Sequence, residues 1–395
     1  MERNGKIAKS HARNSLSWEQ RKLGKVFEEY SEKNHEDLPT LMIIQGGGTI
    51  RRDESDRSLL YDKANLANYK MVNEGDFIVH LRSFEGGLEM ATNTGIISPA
   101  YHTFHGENTD SRFYYSYFRS KKFIDIDLTP HVYGIRDGRS IDIEGMKTVK
   151  IPFTSYEEQK AIGMFIKHLD HLITLHQRKL EKLKIVKKAM LENCFPKNGE
   201  KVPRFRFSGF TGDWEQRKLG EIYARSGEKN DGSVGIDRNI TVATMQFKDD
   251  VKVSTTEYLK TYYTFNVGDI AFEGHQSKEF RFGRFVENDI GNGIVSHIFA
   301  VFRPIVEYDL KFWKYAINNE RLMQRVLSRS TKASTMMHDL VTDDFLNESF
   351  LVPTIEEQRK IGDYFSHLDH LITLHQRKLE KLKIIKKSFL EKMFV

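Results

Sequence analysis

The sequence predicts an α+β protein with two globular domains that are related by pseudo-two-fold symmetry and joined by two long antiparallel helices forming an intramolecular coiled coil. Three observations support this fold class: the chain is an internal duplication, its most similar segments are helical, and its diverged segments mix short strands with helices. A chain of 395 residues is also too long for one ordinary domain.

The duplication is evident from direct comparison of the two halves. Residues 169–185, LDHLITLHQRKLEKLKI, recur unchanged at 368–384, and the heptapeptide WEQRKLG begins at both Trp18 and Trp214. The segments between these anchors retain only sparse matches. A period near 200 residues greatly exceeds the ~20–50 residues of solenoid repeats, so the repeated unit is a domain followed by a helix.

Each repeated segment predicts one long helix. Residues 157–195 contain a single glycine, Gly163, and no proline before Pro196, so a helix of about 40 residues, roughly 60 Å long, is expected. Its apolar residues recur in heptads that favour pairing with the duplicate helix. The predicted seam consists of Ile162, Ile166, Leu169, Ile173, His176, Leu180, Leu183, Ile361, Phe365, Leu368, Ile372, His375, Leu379 and Leu382.

Histidines and basic residues on these helices need separate interpretation. His176 and His375 lie in the seam without cysteine or carboxylate company at ligand spacing, so they favour a polar, register-setting role and no metal site is expected. Six basic residues between Arg178 and Lys188 are opposed only by Glu181, and the second copy repeats the pattern. They form either a solvated flank or a contact with a partner protein or DNA phosphates.

The two diverged segments predict α+β domains whose strands are interrupted by basic, glycine-punctuated loops. The first has β-rich runs at 75–81 and 95–101 and a helical stretch near 110–122. The second has corresponding runs at 269–273 and 294–302, followed by a helix over 308–328. Arginine beside Asn, Gln, Ser or His on such loops supplies the donors and acceptors needed to read bases in the major groove. The Gly46–Gly48 run lacks the rest of a phosphate-binding motif, so no nucleotide site is expected there. Candidate DNA contacts are Arg51, Arg52, Arg57, Arg82, Ser83, Arg136, Arg139, His275, Gln276, Lys278, Arg281, Arg284, Lys332 and Ser334.

Composition is compatible with this interpretation. Lys and Arg number 61 against 55 Asp and Glu, a net charge of +6, which fits a nucleic-acid partner without establishing one. The single cysteine, Cys194, excludes an internal disulfide. Because residues 1–16 lack the apolar core of a secretion signal and no run approaches a membrane span, a cytoplasmic location is expected.

The arrangement resembles the specificity subunits of type I restriction-modification systems across essentially the whole chain. The matching motifs are E-E-Q-[KR]-x-I-G at Glu157 and Glu356, the helix body that follows each, WEQRKLG at each domain start, and the lead-in Val202–Trp214. Residues 1–17 show no such lead-in. The predicted organisation is an N-terminal extension (1–17), target-recognition domain 1 (18–153), helix 1 (154–196), a linker (197–213), target-recognition domain 2 (214–354) and helix 2 (355–395).

The resemblance implies a non-catalytic DNA sequence-recognition subunit that reads an asymmetric bipartite site. Two modification subunits would bind it, carry S-adenosylmethionine and methylate adenine. Restriction subunits using ATP and Mg²⁺ would join in some complexes. The sequence lacks the N/D-P-P-Y/F and G-x-x-x-x-G-K-[ST] motifs of methyltransferases and motors. The alternatives are a self-sufficient methyltransferase or nuclease, which these absences disfavour, and a non-enzymatic DNA-binding scaffold or regulator that dimerises through its helices.

Overall fold

The fold divides into two compact units, each containing one globular domain and part of both long helices. Unit 1 comprises the chain up to His176 together with residues from Lys378 on, and unit 2 comprises Gln177–Arg377. The computed structural model describes residues 18–54, 63–79, 87–134, 140–197, 199–248, 256–334 and 337–394.

Unit 1 is organised around a four-stranded antiparallel sheet of order β2-β9-β6-β7, with the two-stranded pairs β1-β12, β3-β4, β5-β8 and β10-β11 around it. Its strands are β1 (Glu19–Lys22), β2 (Glu28–Tyr30), β3 (Leu41–Ile44), β4 (Gly48–Arg51), β5 (Lys70–Val72), β6 (Phe77–Val79), β7 (Glu89–Met90), β8 (Gly95–Ile97), β9 (His102–His105), β10 (Val132–Tyr133), β11 (Ser140–Ile141) and β12 (Lys150–Phe153). Its short helices are α1 (Leu23–Val26), α2 (Ser111–Phe118) and α3 (Ile143–Lys147).

Unit 2 repeats this topology sheet for sheet, with a central order of β14-β21-β18-β19 and the pairs β13-β24, β15-β16, β17-β20 and β22-β23. Its strands are β13 (Glu215–Lys218), β14 (Tyr223–Ser226), β15 (Ile240–Thr241), β16 (Gln246–Phe247), β17 (Tyr263–Phe265), β18 (Ile270–Glu273), β19 (Arg284–Glu287), β20 (Gly293–Val295), β21 (Ala300–Pro304), β22 (Thr331–Ala333), β23 (His338–Leu340) and β24 (Ser349–Val352). Helices α5 (Thr256–Leu259), α6 (Leu310–Ile317), α7 (Glu320–Ser330) and α8 (Thr342–Asn347) complete the domain.

The two long helices run antiparallel within each unit. They are α4 (Tyr156–Asn193, 38 residues) and α9 (Ile355–Met393, 39 residues), so the sequence-based length was correct. In unit 1, Phe165 of α4 contacts Phe389 of α9, and five residues later Asp170 pairs with Lys386 at 2.6 Å. In unit 2 the same ion pair recurs between Asp369 and Lys187, also at 2.6 Å.

The residues predicted to form the helix seam are shielded from solvent to different degrees. Eight of them are less than 9% exposed, namely Ile166, Leu169, Leu180, Ile361, Phe365, Leu368, His375 and Leu379. The other six are half-buried: Ile162, Ile173, His176, Leu183, Ile372 and Leu382. The heptad stripe therefore faces the protein interior along both helices.

Three local predictions from the sequence differ from the structure. The helix expected over 308–328 is two helices, because Asn319 caps α7 and receives the Leu322 N–H. The apolar run 294–302 forms two strands in different sheets, β20 and β21, separated by a turn in which the Phe299 N–H donates to the Ser296 carbonyl. The helix expected over 110–122 is α2, which ends at Phe118.

None of the helices in the described residues combines the length and apolarity that crossing a membrane requires.

Candidate nucleic-acid interface

The glutamine of the repeated E-E-Q motif joins each long helix to its globular domain. Gln159 is fully buried, accepts the Asp110 N–H at 3.0 Å and donates to the Thr154 carbonyl at 2.7 Å. Gln358 does the same in unit 2 with the Asp309 N–H and the Pro353 carbonyl. The two aspartates are the N-caps of α2 and α6, so this motif fixes the position of each domain helix relative to its long helix.

The glycine four residues later is explained by the same junction. A Cβ atom at Gly163 would lie under 3 Å from Oδ1 of Asp110, and one at Gly362 would lie under 3 Å from Oδ1 of Asp309. Only glycine lets the long helix approach the N-cap this closely. The glycine of the repeated motif is therefore required for close packing of the long helix against the domain helix.

A second repeated motif, Gly-Asp, lies at the turn before the central strands β6 and β18. Gly75 and Gly268 have φ angles of 94° and 92°, which glycine tolerates best. The following aspartates differ in their partners: Asp76 binds Tyr30 and His105, the latter at 2.6 Å, whereas Asp269 receives two bonds from Arg303 at 3.0 and 3.1 Å. Burial raises the pKa of Asp269, which Arg303 partly counteracts.

In unit 2 the structure brings together two loops that are some 60 residues apart in sequence. The loop 274–283 connects β18 to β19, and the β22-β23 pair lies beside it. The His338 N–H donates to the Gly274 carbonyl at 2.8 Å, and His275 and Met337 form an isolated antiparallel bridge. The predicted contact residues of both loops therefore form one surface.

Most of the predicted residues on this surface have accessible side chains. His275, Gln276, Lys278, Arg281, Lys332 and Ser334 are all exposed. Arg284 is more enclosed, because its guanidinium pairs with Glu273 at 2.8 Å and donates to the Ala243 carbonyl at 2.7 Å. Its charge stabilises the β18-β19 hairpin, and a DNA contact by Arg284 stays a prediction.

Two residues of this surface, His338 and Thr331, were not among the contacts predicted from the sequence. His338 is only 8% exposed and its ring hydrogen-bonds Gln276 and lies near Thr331. Phe282 contacts the same ring at 5.4 Å. Histidine and threonine in a short polar strand carry no distinctive pattern, and only the pairing of the two loops makes their roles visible.

In unit 1 the described part of the predicted interface is smaller. Arg51 ends β4, is exposed and pairs with Asp53 at 2.9 Å, and Arg52 is half-buried in the following turn, where its N–H donates to the Thr40 carbonyl. The other five predicted contacts of this domain, Arg57, Arg82, Ser83, Arg136 and Arg139, lie outside the described residues.

A buried carboxylate holds the Gly46 turn in unit 1. Glu89 accepts the Gly46 N–H at 2.7 Å, Arg119 at 2.6 Å and the Tyr115 hydroxyl at 3.0 Å. Arg119 and Tyr115 belong to α2 and its C-cap, so the turn between β3 and β4 is fixed to the domain helix. This glycine run thus has a structural role.

The basic flank of the long helices is largely solvent-exposed. Arg178, Lys179, Lys182 and Lys188 are exposed, while Lys187 is half-buried against Asp369. In the part of the chain that the structure describes, no group of three or more His, Cys, Asp or Glu residues is placed to hold a metal ion.

Comparisons with known proteins agree with this architecture. The curated type I restriction enzyme MjaVIII specificity subunit of Methanocaldococcus jannaschii is 22% identical over 345 residues, 81% of this chain and 78% of that protein. The crystal structure of a type I restriction-modification system S subunit from M. genitalium gives a TM-score of 0.57 at 15% identity, covering 97% of this chain and 98% of that chain. At that identity the likeness shows a shared fold. The HsdS subunit of Thermoanaerobacter tengcongensis gives a TM-score of 0.47 at 16% identity, over 96% of this chain and 97% of that chain.

The family comparison covers both halves of the chain. Residues 16–185 and 211–384 each match the family model described as the type I restriction modification DNA specificity domain. Both matches run from the start of a globular domain into the long helix that follows it. Because they span well over half of the sequence, the chain belongs to the family of type I restriction-modification DNA specificity proteins.

Proposed function

We propose that this chain is the DNA sequence-recognition subunit of a type I restriction-modification complex, in which unit 1 and unit 2 each read one half of an asymmetric bipartite site. The observation that carries the proposal is the contrast between the halves: two DNA specificity domains keep identical anchor motifs but differ in their exposed loops. Shared anchor motifs predict that each domain joins its long helix in a similar way, and different loops predict different bases in the two half-sites.

A division of labour follows from family membership, which implies a non-catalytic role for the chain. Partner modification subunits would hold S-adenosylmethionine and methylate one adenine in each half-site, and restriction subunits using ATP and Mg²⁺ would join where the system cuts DNA. The exposed basic side chains Lys278, Arg281 and Lys332 of unit 2 would contact phosphates or bases. Because the substrate is cellular and incoming DNA, the complex would act in the cytoplasm.

Methylation mapping tests this proposal directly. The chain is co-expressed with its cognate methyltransferase subunit in a host that lacks other adenine methylation, and the host DNA is read by single-molecule sequencing. The expected result is one bipartite motif with an unspecific spacer, methylated on both strands. The methyltransferase subunit expressed without this chain is the control, and it should leave no motif.

The same experiment separates the proposal from a DNA-binding scaffold. An unchanged methylome despite a stable complex of the two subunits would contradict the proposed function. Methyl transfer by the purified chain alone would instead indicate a self-sufficient enzyme.

A further inference from the structure

The surface formed by the 274–283 loop and β22-β23 holds one side-chain amide in a defined orientation. Gln276 is exposed, and its Nε2 atom is hydrogen-bonded to Nε2 of the buried His338. Among the described residues, no hydrogen bond uses the Gln276 Oε1 atom. The amide therefore has an anchored edge and an accessible edge.

A chain of hydrogen bonds behind His338 determines which edge is accessible. The Thr331 hydroxyl donates to the Leu327 carbonyl at 2.6 Å, and Oγ1 of Thr331 lies 3.4 Å from Nδ1 of His338. Leu327 is in the last turn of α7, where carbonyls lack partners within the helix. That carbonyl can only accept, so it takes the single hydrogen of the Thr331 hydroxyl.

This direction propagates to the exposed glutamine. With its hydrogen committed, Thr331 Oγ1 can only accept from His338, which places the imidazole proton on Nδ1. His338 Nε2 is then an acceptor and receives one N–H of Gln276. The Oε1 atom and the second N–H of Gln276 remain for a ligand.

The backbone around this hydrogen-bond relay, which consists of Thr331, His338 and Gln276, is held in place by further contacts. The His338 N–H bonds the Gly274 carbonyl at 2.8 Å, and the Ser334 N–H bonds the Met337 carbonyl at 2.8 Å. The His338 ring also packs against Phe282. Backbone and ring contacts on both sides thus restrict rotation of the histidine.

We propose that Gln276 reads an adenine in the half-site bound by unit 2, with Thr331 and His338 as positioning residues that fix its amide. One acceptor beside one donor matches the major-groove edge of adenine, whose N6 amino group donates and whose N7 accepts. A guanine edge offers two acceptors and does not match this amide. The assignment rests on the proposed function, because it needs DNA at this surface.

Three substitutions test the relay in the complete complex with its methyltransferase subunit. Gln276→Ala removes the reading group and should lower discrimination at one adenine about 10-fold or more, with every other position of the motif unchanged. Thr331→Val keeps the shape of the side chain but frees the histidine proton to move to Nε2, so it should relax the same position. Thr331→Ser restores the hydroxyl and should restore selectivity.

Controls make the outcomes separable. Lys332→Gln on the same strand should weaken methylation of all sites alike without changing the motif, and thermal unfolding should show all four variants folded. In the wild-type chain, ¹⁵N NMR should find His338 protonated on Nδ1, which tests the relay without any substitution in it.

The proposal is overturned if Gln276→Ala leaves every position as selective as before, if the relaxed base is not adenine, or if the His338 proton is on Nε2. These results would leave the proposed function standing, provided that the wild-type complex methylates a bipartite motif. Absence of that wild-type motif would remove the proposed function instead.

Discussion

Unit 1 and unit 2 use the same residues at the junction between globular domain and long helices, but those residues have different partners. In unit 1 the Trp18 indole N–H donates to Glu158 at 3.2 Å. In unit 2 the corresponding Glu357 is only 1% exposed and takes two bonds of 2.8 Å from Arg206. The indole nitrogen of Trp214 then has no partner among the described residues.

The source of this difference is the lead-in that precedes domain 2. Arg206 lies in the linker between Asn193 and Trp214, and it also donates to the Gly212 carbonyl at 2.6 Å. The repeated tryptophan and glutamate are therefore hydrogen-bonded to each other in unit 1. In unit 2 the glutamate instead binds an arginine of the linker. Sequence identity fixes which groups are available, and neighbouring segments decide how they pair.

The aromatic core of each junction should give the largest effects on stability. Phe195 is fully buried against Trp214, Phe312 and Phe365, so Phe195→Ala should destabilise unit 2 by about 3–5 kcal/mol. The counterpart, Phe394, contacts Trp18 in unit 1 and is 5% exposed. Because Phe394 is less completely buried than Phe195, Phe394→Ala should cost somewhat less, about 2–4 kcal/mol.

Denaturant unfolding with unit-specific fluorescence measures both changes. Trp18 reports on unit 1, and Trp214 and Trp313 report on unit 2, so variants that keep only one set separate the signals. A loss of stability in the wrong unit would contradict the assignment of either phenylalanine.

Loss of the ion pair between Arg206 and Glu357 should have the next largest effect on stability. Arg206→Met leaves the buried Glu357 carboxylate without a cation and should destabilise unit 2 by about 3 kcal/mol. The same measurement on Glu158→Gln in unit 1 should show a change of about 1 kcal/mol or less, because the glutamine can still bond the Trp18 indole and the Thr154 hydroxyl and no buried charge loses its partner.

A double variant checks the physical reason. Adding Glu357→Gln to Arg206→Met removes the unpaired charge and should recover most of the lost stability. Equal costs in the single and double variants would show that Arg206 acts by packing alone.

The helix glycines should respond alike in both units. An alanine inside a helix is usually more stable than glycine by about 1 kcal/mol. Here Gly163→Ala and Gly362→Ala should each destabilise by about 1–3 kcal/mol, because the new methyl group would overlap the N-cap aspartate. Lys160→Ala on the exposed side of α4 is the matched control, and a gain of stability in either glycine variant would contradict the close approach.

A further expected effect is a loss of stability at high pH that arises in unit 2. Burial raises the pKa of Glu287 well above its usual range, even though the Tyr308 hydroxyl donates to this carboxyl. The folded state therefore binds the proton more tightly than the unfolded state, and stability present at low pH is lost as the pH rises past the ordinary range of glutamate. Glu287→Gln should flatten the dependence and be more stable than wild type at pH 8. An unchanged pH profile would exclude Glu287 as its origin.

Much of the fold could be predicted because its signals are local or repeated. The long helices follow from the absence of proline and from heptad spacing, and the two domains follow from the duplication. The break at Asn319 and the turn at Ser296 could not be predicted, because one polar residue between apolar runs fits either a continuous element or two.

The candidate interface was predictable only as a set of loops. Gln276 and Lys332 were identified because they lie in polar, basic segments between predicted strands and helices, and such loops often carry binding residues. His338 and Thr331 were not identified, because their roles depend on contact with a loop that is distant in sequence. Gln276 and His338, for example, are 62 residues apart. Hydrogen-bond direction is a property of the assembled loops, and no residue of the relay indicates it alone.

The sequence by itself determined that this protein carries the same domain and helix twice, with identical anchors and different loops. Only the tertiary structure decided what those anchors do. Gln159 and Gln358 accept hydrogen bonds from the N-cap residues of the domain helices, and Gly163 and Gly362 let the long helices come close to those N-caps. Glu357 pairs with Arg206, whereas the corresponding Glu158 bonds a tryptophan. The physical reason is that helix periodicity depends on near neighbours along the chain. Partner choice for a buried polar group depends on every segment that folding brings within hydrogen-bonding distance.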